Sequence, residues 1–75
     1  MPERWIRFER KPARFHLLWS EQGFLTTLCG RMVYRAEVIA ETENPPARCR
    51  CCRSRSEHPY LVPVELRALR QGVAE

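Results

Sequence analysis

The sequence has no aspartate, a single lysine (Lys11) and only three glycines in 75 residues. It also has no long apolar run. Its apolar stretches are a handful of residues each, far short of the roughly 20 that a membrane-spanning helix needs. The opening residues Met1-Pro2-Glu3-Arg4-Trp5-Ile6-Arg7 carry charge where a secretory leader needs an apolar core. These absences lead to the expectation of a cytoplasmic protein with reduced thiols and no membrane partner. No internal repeat and no catalytic constellation is visible, so an enzyme is not expected.

What is present is arginine and cysteine. Lys+Arg total 13 and, Lys11 apart, all are Arg; the formal net charge is +4. Abundant Arg, Ala and Pro with scarce Lys is the composition of a high-GC genome, such as that of an actinobacterium or its phage. A 75-residue chain forms one domain at most. Its core is too small for comfortable stability without a disulfide, a metal or a partner. With reduced thiols, the four cysteines point to metal rather than disulfides.

Residues 1–13 mix Trp5, Ile6 and Phe8 with Arg4, Arg7 and Arg10. A short edge strand and a frayed N-terminal arm fit this segment equally, and Pro12 ends it. Arg14-Phe15-His16-Leu17-Leu18-Trp19 reads as a strand with Phe15, Leu17 and Trp19 on one face and His16 and Leu18 on the other. Ser20-Glu21-Gln22-Gly23 is a turn, with Gly23 free to take positive φ. Phe24 to Leu28 is a second strand. Met32 to Ile39 alternates with period two and favours a third strand over a helix. Glu41 to Ala47, with Pro45-Pro46, is a loop. Ser54 to Pro59 reads as polar and irregular. Pro63 suits the start of a final helix with Val62, Leu66 and Leu69 on one stripe and Gly72 just past its end.

The chemistry concentrates in Arg48-Cys49-Arg50-Cys51-Cys52-Arg53. Cys49 and Cys52 form a Cys-x-x-Cys pair, which offers two metal ligands from one tight knuckle. Cys29 offers a third, and Gly30 relieves the backbone beside it. An ideal register around the Ser20–Gly23 turn places His16 opposite Thr27 or Leu28, within reach of the same metal. His58 is the competing fourth ligand, and the spacing favours His16. Cys51 is surplus to a four-coordinate site and reads as a free thiol. A Cys-x-x-Cys pair can also serve thiol–disulfide exchange from a helix N-terminus, but here the pair follows a proline loop and reads as preceding polar coil, so redox chemistry is the minor alternative.

The pattern His16-Leu17, Thr27-Leu28-Cys29-Gly30-Arg31 and Cys49-Arg50-Cys51-Cys52 resembles the small His-Cys-Cys-Cys zinc-finger proteins of actinobacteria and their phages. The resemblance covers about residues 14–55, and Cys51 inside the knuckle departs from it. It implies one structural zinc on His16, Cys29, Cys49 and Cys52, and no particular biochemical role. Three thiolates and one divalent ion carry about −1 together, so the loaded protein is near +3.

The expected fold is a small α+β zinc-stabilised domain: a three- to four-stranded antiparallel sheet, a zinc knuckle and a short C-terminal helix. Residues 1–13 form the arm or edge strand, 14–55 the zinc-binding core, and 56–75 a linker and the helix. Arg48, Arg50, Arg53, Arg55 and Arg31 surround the knuckle as candidate nucleic-acid contacts, with Arg4, Arg7, Arg10, Lys11 and Arg14 as a second cluster. The expected function is a nucleic-acid-binding module associated with transcription or translation. The alternative is an adaptor or phage-encoded modulator that binds a host protein through Trp5, Trp19, Tyr60 and the helix stripe.

Overall fold

The computed structural model describes residues 3–11 and 13–72; Pro12, expected to close the first segment, lies outside them. The fold is α+β, as expected, but its sheet has five strands. They are β1 (Trp5–Arg7), β2 (His16–Ser20), β3 (Leu25–Thr27), β4 (Met32–Val33) and β5 (Ala40–Thr42), all antiparallel in the order β4-β3-β2-β1-β5. Two helices follow, α1 (Arg50–Glu57) and α2 (Val64–Gly72).

The alternation of β2 sorts the core onto two faces. Phe15 and Leu17 join Trp5, Leu28, Val62 and Leu66 on the face covered by the helices, with Trp19 packed against them. Leu18 joins Ile6, Leu25 and Val33 on the other face, where Phe8 and Val38 cover it. Side chains that alternate across a pleat can serve two clusters from one strand.

Four expectations need correction. The first segment is neither an arm nor an edge strand. β1 is paired on both sides, by β2 and β5, because Trp5 and Ile6 are both almost fully buried, one on each face. An aromatic and an Ile flanked by arginines look peripheral in sequence, yet burying each gains roughly 1.5–3 kcal/mol. Trp5 is therefore not an exposed interaction residue, and Trp19 is only partly exposed, its indole N–H donating to the Leu66 carbonyl.

The third strand is cut short. β4 ends at Val33, and a 3-10 turn at Arg35–Glu37 breaks the period-two run, capped by Glu37 accepting from the Tyr34 N–H at 2.7 Å. The chain then crosses to the far side of the sheet, where β5 pairs with β1. Glu41 and Thr42, expected in a loop, belong to β5. Alternation survived in the sequence while the backbone turned, because the capping Glu offers the local N–H a better partner than a two-residue edge strand does.

The polar stretch after the cysteines is helical: α1 spans Arg50–Glu57. One buried residue, Cys52, is its whole apolar face, so the stretch carries no periodic hydrophobic signal. The helix is held by its packing and by Arg55, whose guanidinium donates to the Leu28 carbonyl at 2.9 Å.

The last helix begins at Val64 rather than at Pro63 and runs through Gly72. Pro63 accepts from the Leu66 and Arg67 N–H groups, so it precedes the helix as its cap. Val62 and Leu66 are buried as the stripe requires, while Leu69 remains 37% exposed.

Candidate metal centre

Three pieces of local structure converge on one point. The first is the β3–β4 hairpin. Its tip is Leu28-Cys29-Gly30, closed by the Gly30 N–H donating to the Thr27 carbonyl and by Thr27 N–H donating to Arg31, both at 2.9 Å. Gly30 has φ +94°, a conformation that favours glycine and closes the three-residue loop between Thr27 and Arg31. Cys29 is thereby presented on a tight loop.

The second is the start of β2. Leu18 pairs with Thr27, and the Leu28 N–H donates to the Leu17 carbonyl at 2.9 Å. Continuing that register sets His16 opposite Cys29, rather than opposite Thr27 or Leu28. The ideal turn gave the wrong register because β2 runs on through Ser20, which pairs with Thr26 across a longer connection than the expected four-residue turn; the bulge between Leu18 and Ser20 then takes back one residue and leaves His16 opposite Cys29.

The third is the entry to α1. Phe15 donates to the Ala47 carbonyl at 2.9 Å, and the Cys49 N–H donates back to Phe15 at 2.7 Å. This parallel bridge between Phe15 and Arg48 lays Cys49 beside β2. Cys49 caps the helix and Cys52 sits in its first turn, and residues three apart share a helix face.

The donor atoms of His16, Cys29, Cys49 and Cys52 all lie within 4.8 Å of one another. All four cysteines are free. A tetrahedral site with metal–sulfur bonds of about 2.3 Å has edges of about 3.8 Å, so the four atoms need to draw in by about 1 Å at most. One imidazole and three thiols, with Cys52 and His16 buried, is a donor set that fits a metal ion. His58 is not in the group; it is exposed and lies against Tyr60, ring centroids 5.6 Å apart. Cys51 is exposed and is also outside the group.

The surroundings hold these donors in place. Cys29 is held well below the ordinary thiol value, first by its hydrogen bond with Cys52, then by His16 and Thr27, against the opposing effect of burial. Cys52 is pushed up by the same bond and by burial. Their mutual hydrogen bond thus favours the thiolate at Cys29 and the proton at Cys52. Thr27 Oγ1 lies 3.0 Å from Cys29 Sγ and accepts from the Arg31 N–H at 3.1 Å. Desolvation outweighs nearby Arg55 and raises Cys51, although the residue as a whole is exposed, so that thiol is not activated.

Sequence reasoning missed three neighbours. Phe8 stacks on the His16 ring at 4.6 Å, and Glu9 Oε1 lies 3.8 Å from His16 Nε2 while bridging to Arg31 at 2.7 Å. Thr27, two residues before a cysteine in a tight turn, carried a local signal. Phe8 and Glu9 carried none, since only strand pairing brings them to His16. The reason given against thiol exchange, that the Cys-x-x-Cys pair precedes coil, does not hold, because the pair opens α1.

The arginines divide sharply. Arg31 is paired with Glu9, Arg53 with Glu57 at 3.4 Å, and Arg55 with the Leu28 carbonyl. Arg4 and Arg35 share Glu21 and Glu41 in a four-member network. Arg48 lies over the Trp5 ring at 5.1 Å, and Arg50 is exposed on the first turn of α1. Among the described residues no helix is long and apolar enough to cross a membrane. The chain matches no protein-family model, no curated protein and no solved structure.

Proposed function

We propose that this chain is a non-enzymatic zinc-binding module that binds nucleic acid in the cytoplasm, in a transcription- or translation-associated role. The observation that carries the reading is the convergence of three thiols and one imidazole from three separate elements. Zinc is the metal that takes such N/S sets tetrahedrally and needs no redox partner. Four protein donors leave no coordination position open for a substrate, which supports a structural role. The ligand set coincides with the one implied by the resemblance to actinobacterial and phage His-Cys-Cys-Cys zinc fingers. Nucleic acid is the partner favoured by the basic balance, +4 over 75 residues, and by the guanidiniums left outside ion pairs. The test is elemental analysis of the purified protein together with a salt titration of oligonucleotide binding. One zinc per chain and salt-dependent binding are expected. A folded, reduced protein without metal overturns the first half; absence of oligonucleotide binding at low salt overturns the second.

A second reading, an adaptor or phage-encoded modulator of a host protein, is favoured by one observation. Tyr60 and Val64 are 73% and 72% exposed and flank Leu61, also exposed, at the junction of the helices. Capture of one host protein that survives nuclease treatment, without oligonucleotide binding, would select it.

A further inference from the structure

We propose that Arg7 and Arg48 form a phosphate-binding site where β1, the start of β2 and the segment before α1 meet, with the phosphodiester backbone of a nucleic acid as its ligand. The proposal rests on the nucleic-acid reading above and gives it a centre that pairs one knuckle arginine, Arg48, with Arg7 of β1.

The juxtaposition follows from strand pairing. Trp5 pairs with Leu17 and Ile6 with His16, so Arg7 falls opposite Phe15. Phe15 is in turn bridged to Arg48. Trp5 and Phe15 belong to one core cluster, and a guanidinium lies over each ring: Arg48 over Trp5 at 5.1 Å, Arg7 over Phe15 at 5.9 Å. Two cations from distant parts of the chain are therefore mounted on two aromatic rings of one core cluster.

Three observations point to an anionic oxygen ligand. First, neither arginine takes part in the ion pairs of the described residues, whereas Arg4, Arg31, Arg35 and Arg53 each hold a glutamate. Second, among the described residues the buried polar side-chain atoms without a hydrogen-bond partner are Trp5 Nε1 and Arg7 Nε. Both are donors, both lie in this patch, and buried donors are normally satisfied. Third, a stacked guanidinium is already ordered, so less entropy is lost when its fork meets an oxygen anion. Two guanidiniums suit the several acceptor oxygens of a phosphate better than the two of a carboxylate. Exposed Arg10, Lys11, Arg14 and Arg50 flank these segments in the chain, which suits a polymer of repeated charge more than a single anion.

The experiment uses the metal-loaded, nitrogen-15-labelled chain and a short oligothymidylate. The indole resonance of Trp5 is expected to shift on titration, and that of Trp19, already bonded to Leu66, is expected to stay. In a salt titration, Arg7→Gln with Arg48→Gln is expected to lower the slope by about 0.7 per lost phosphate contact. Arg48→Lys, which keeps the charge and loses the fork, is expected to lose affinity too; it serves if the double variant misfolds. Oligonucleotide binding with an unmoved Trp5 resonance and an unchanged slope overturns this site and leaves the nucleic-acid reading standing. No binding by the wild type overturns both. Competition by polyglutamate as effective as by oligothymidylate overturns the preference for phosphate and assigns the patch to acidic proteins.

Discussion

His16 Nδ1 stands 3.4 Å from Cys29 Sγ, while the other ring nitrogen of His16 faces Glu9 at 3.8 Å. The imidazole is thus committed: one nitrogen to the cysteines, the other to a carboxylate, with Phe8 stacked on its face. A histidine bound to metal through one nitrogen is commonly oriented by an acceptor at the other. This arrangement makes the candidate metal centre continuous with β1 and the loop after it.

Cys29→Ala, Cys49→Ala and Cys52→Ala are each expected to lose metal and cooperative folding. Zinc contributes roughly 10–16 kcal/mol in small finger peptides, more than a core of this size replaces. His16→Ala is expected to lose affinity, while Cys51→Ser and His58→Ala keep metal and fold. Metal content after gel filtration reads all six; metal loss in Cys51→Ser equal to that in Cys52→Ala would refute the ligand set.

Glu9→Gln is expected to weaken metal binding by about tenfold, the lower range for an outer-shell partner, with little change in the fold. Competition with a chromogenic chelator measures it. Long-range nitrogen-15 spectra of the loaded protein are expected to show Nδ1 as the metal-bound nitrogen of His16; metallation of Nε2 contradicts the geometry.

Metal binding is expected to strengthen with pH. In the metal-free cluster Cys29 is lowered, which favours its thiolate, while Cys52 is raised, which favours its protonated thiol. Loading must expel that proton, so each proton released makes the apparent affinity climb about tenfold per pH unit. Calorimetry in buffers of different ionisation enthalpy counts the protons; a pH-independent affinity would contradict the protonated Cys52.

Gly30→Ala is expected to cost about 1–2 kcal/mol, since φ +94° strains any side chain. Nothing lies within 4 Å of the added Cβ, so the cost is conformational rather than steric. Metal affinity is expected to fall with it, because the turn aims Cys29. Melting curves with and without chelator separate the two effects.

Arg55→Ala is expected to destabilise by about 1.5–3 kcal/mol, the range for a hydrogen bond to a charged group, because the Leu28 carbonyl loses its donor. Arg50→Ala, exposed on the first turn of α1, is expected to stay within about 0.5 kcal/mol. Denaturant unfolding of the loaded protein compares them; equal stability would return Arg55 to the set of free surface cations.

The four residues of the candidate metal group were legible in the sequence because their signals are local: Cys49 and Cys52 share a knuckle spacing, Cys29 precedes a glycine, and the alternation around His16 marks a strand. The two faces of β2 and the positive φ of Gly23 followed for the same reason. Tertiary structure decided what depends on non-local pairing. It buried Trp5 inside the sheet, moved His16 opposite Cys29 through a longer β2–β3 connection, and turned a polar stretch into α1 with one buried cysteine. It also sorted the arginines. Composition gave their number, but whether a guanidinium meets a glutamate, a carbonyl or an aromatic ring depends on which strands lie side by side. That choice is set by burial of Trp5, Ile6 and Leu28, residues whose neighbours in space are distant in the chain.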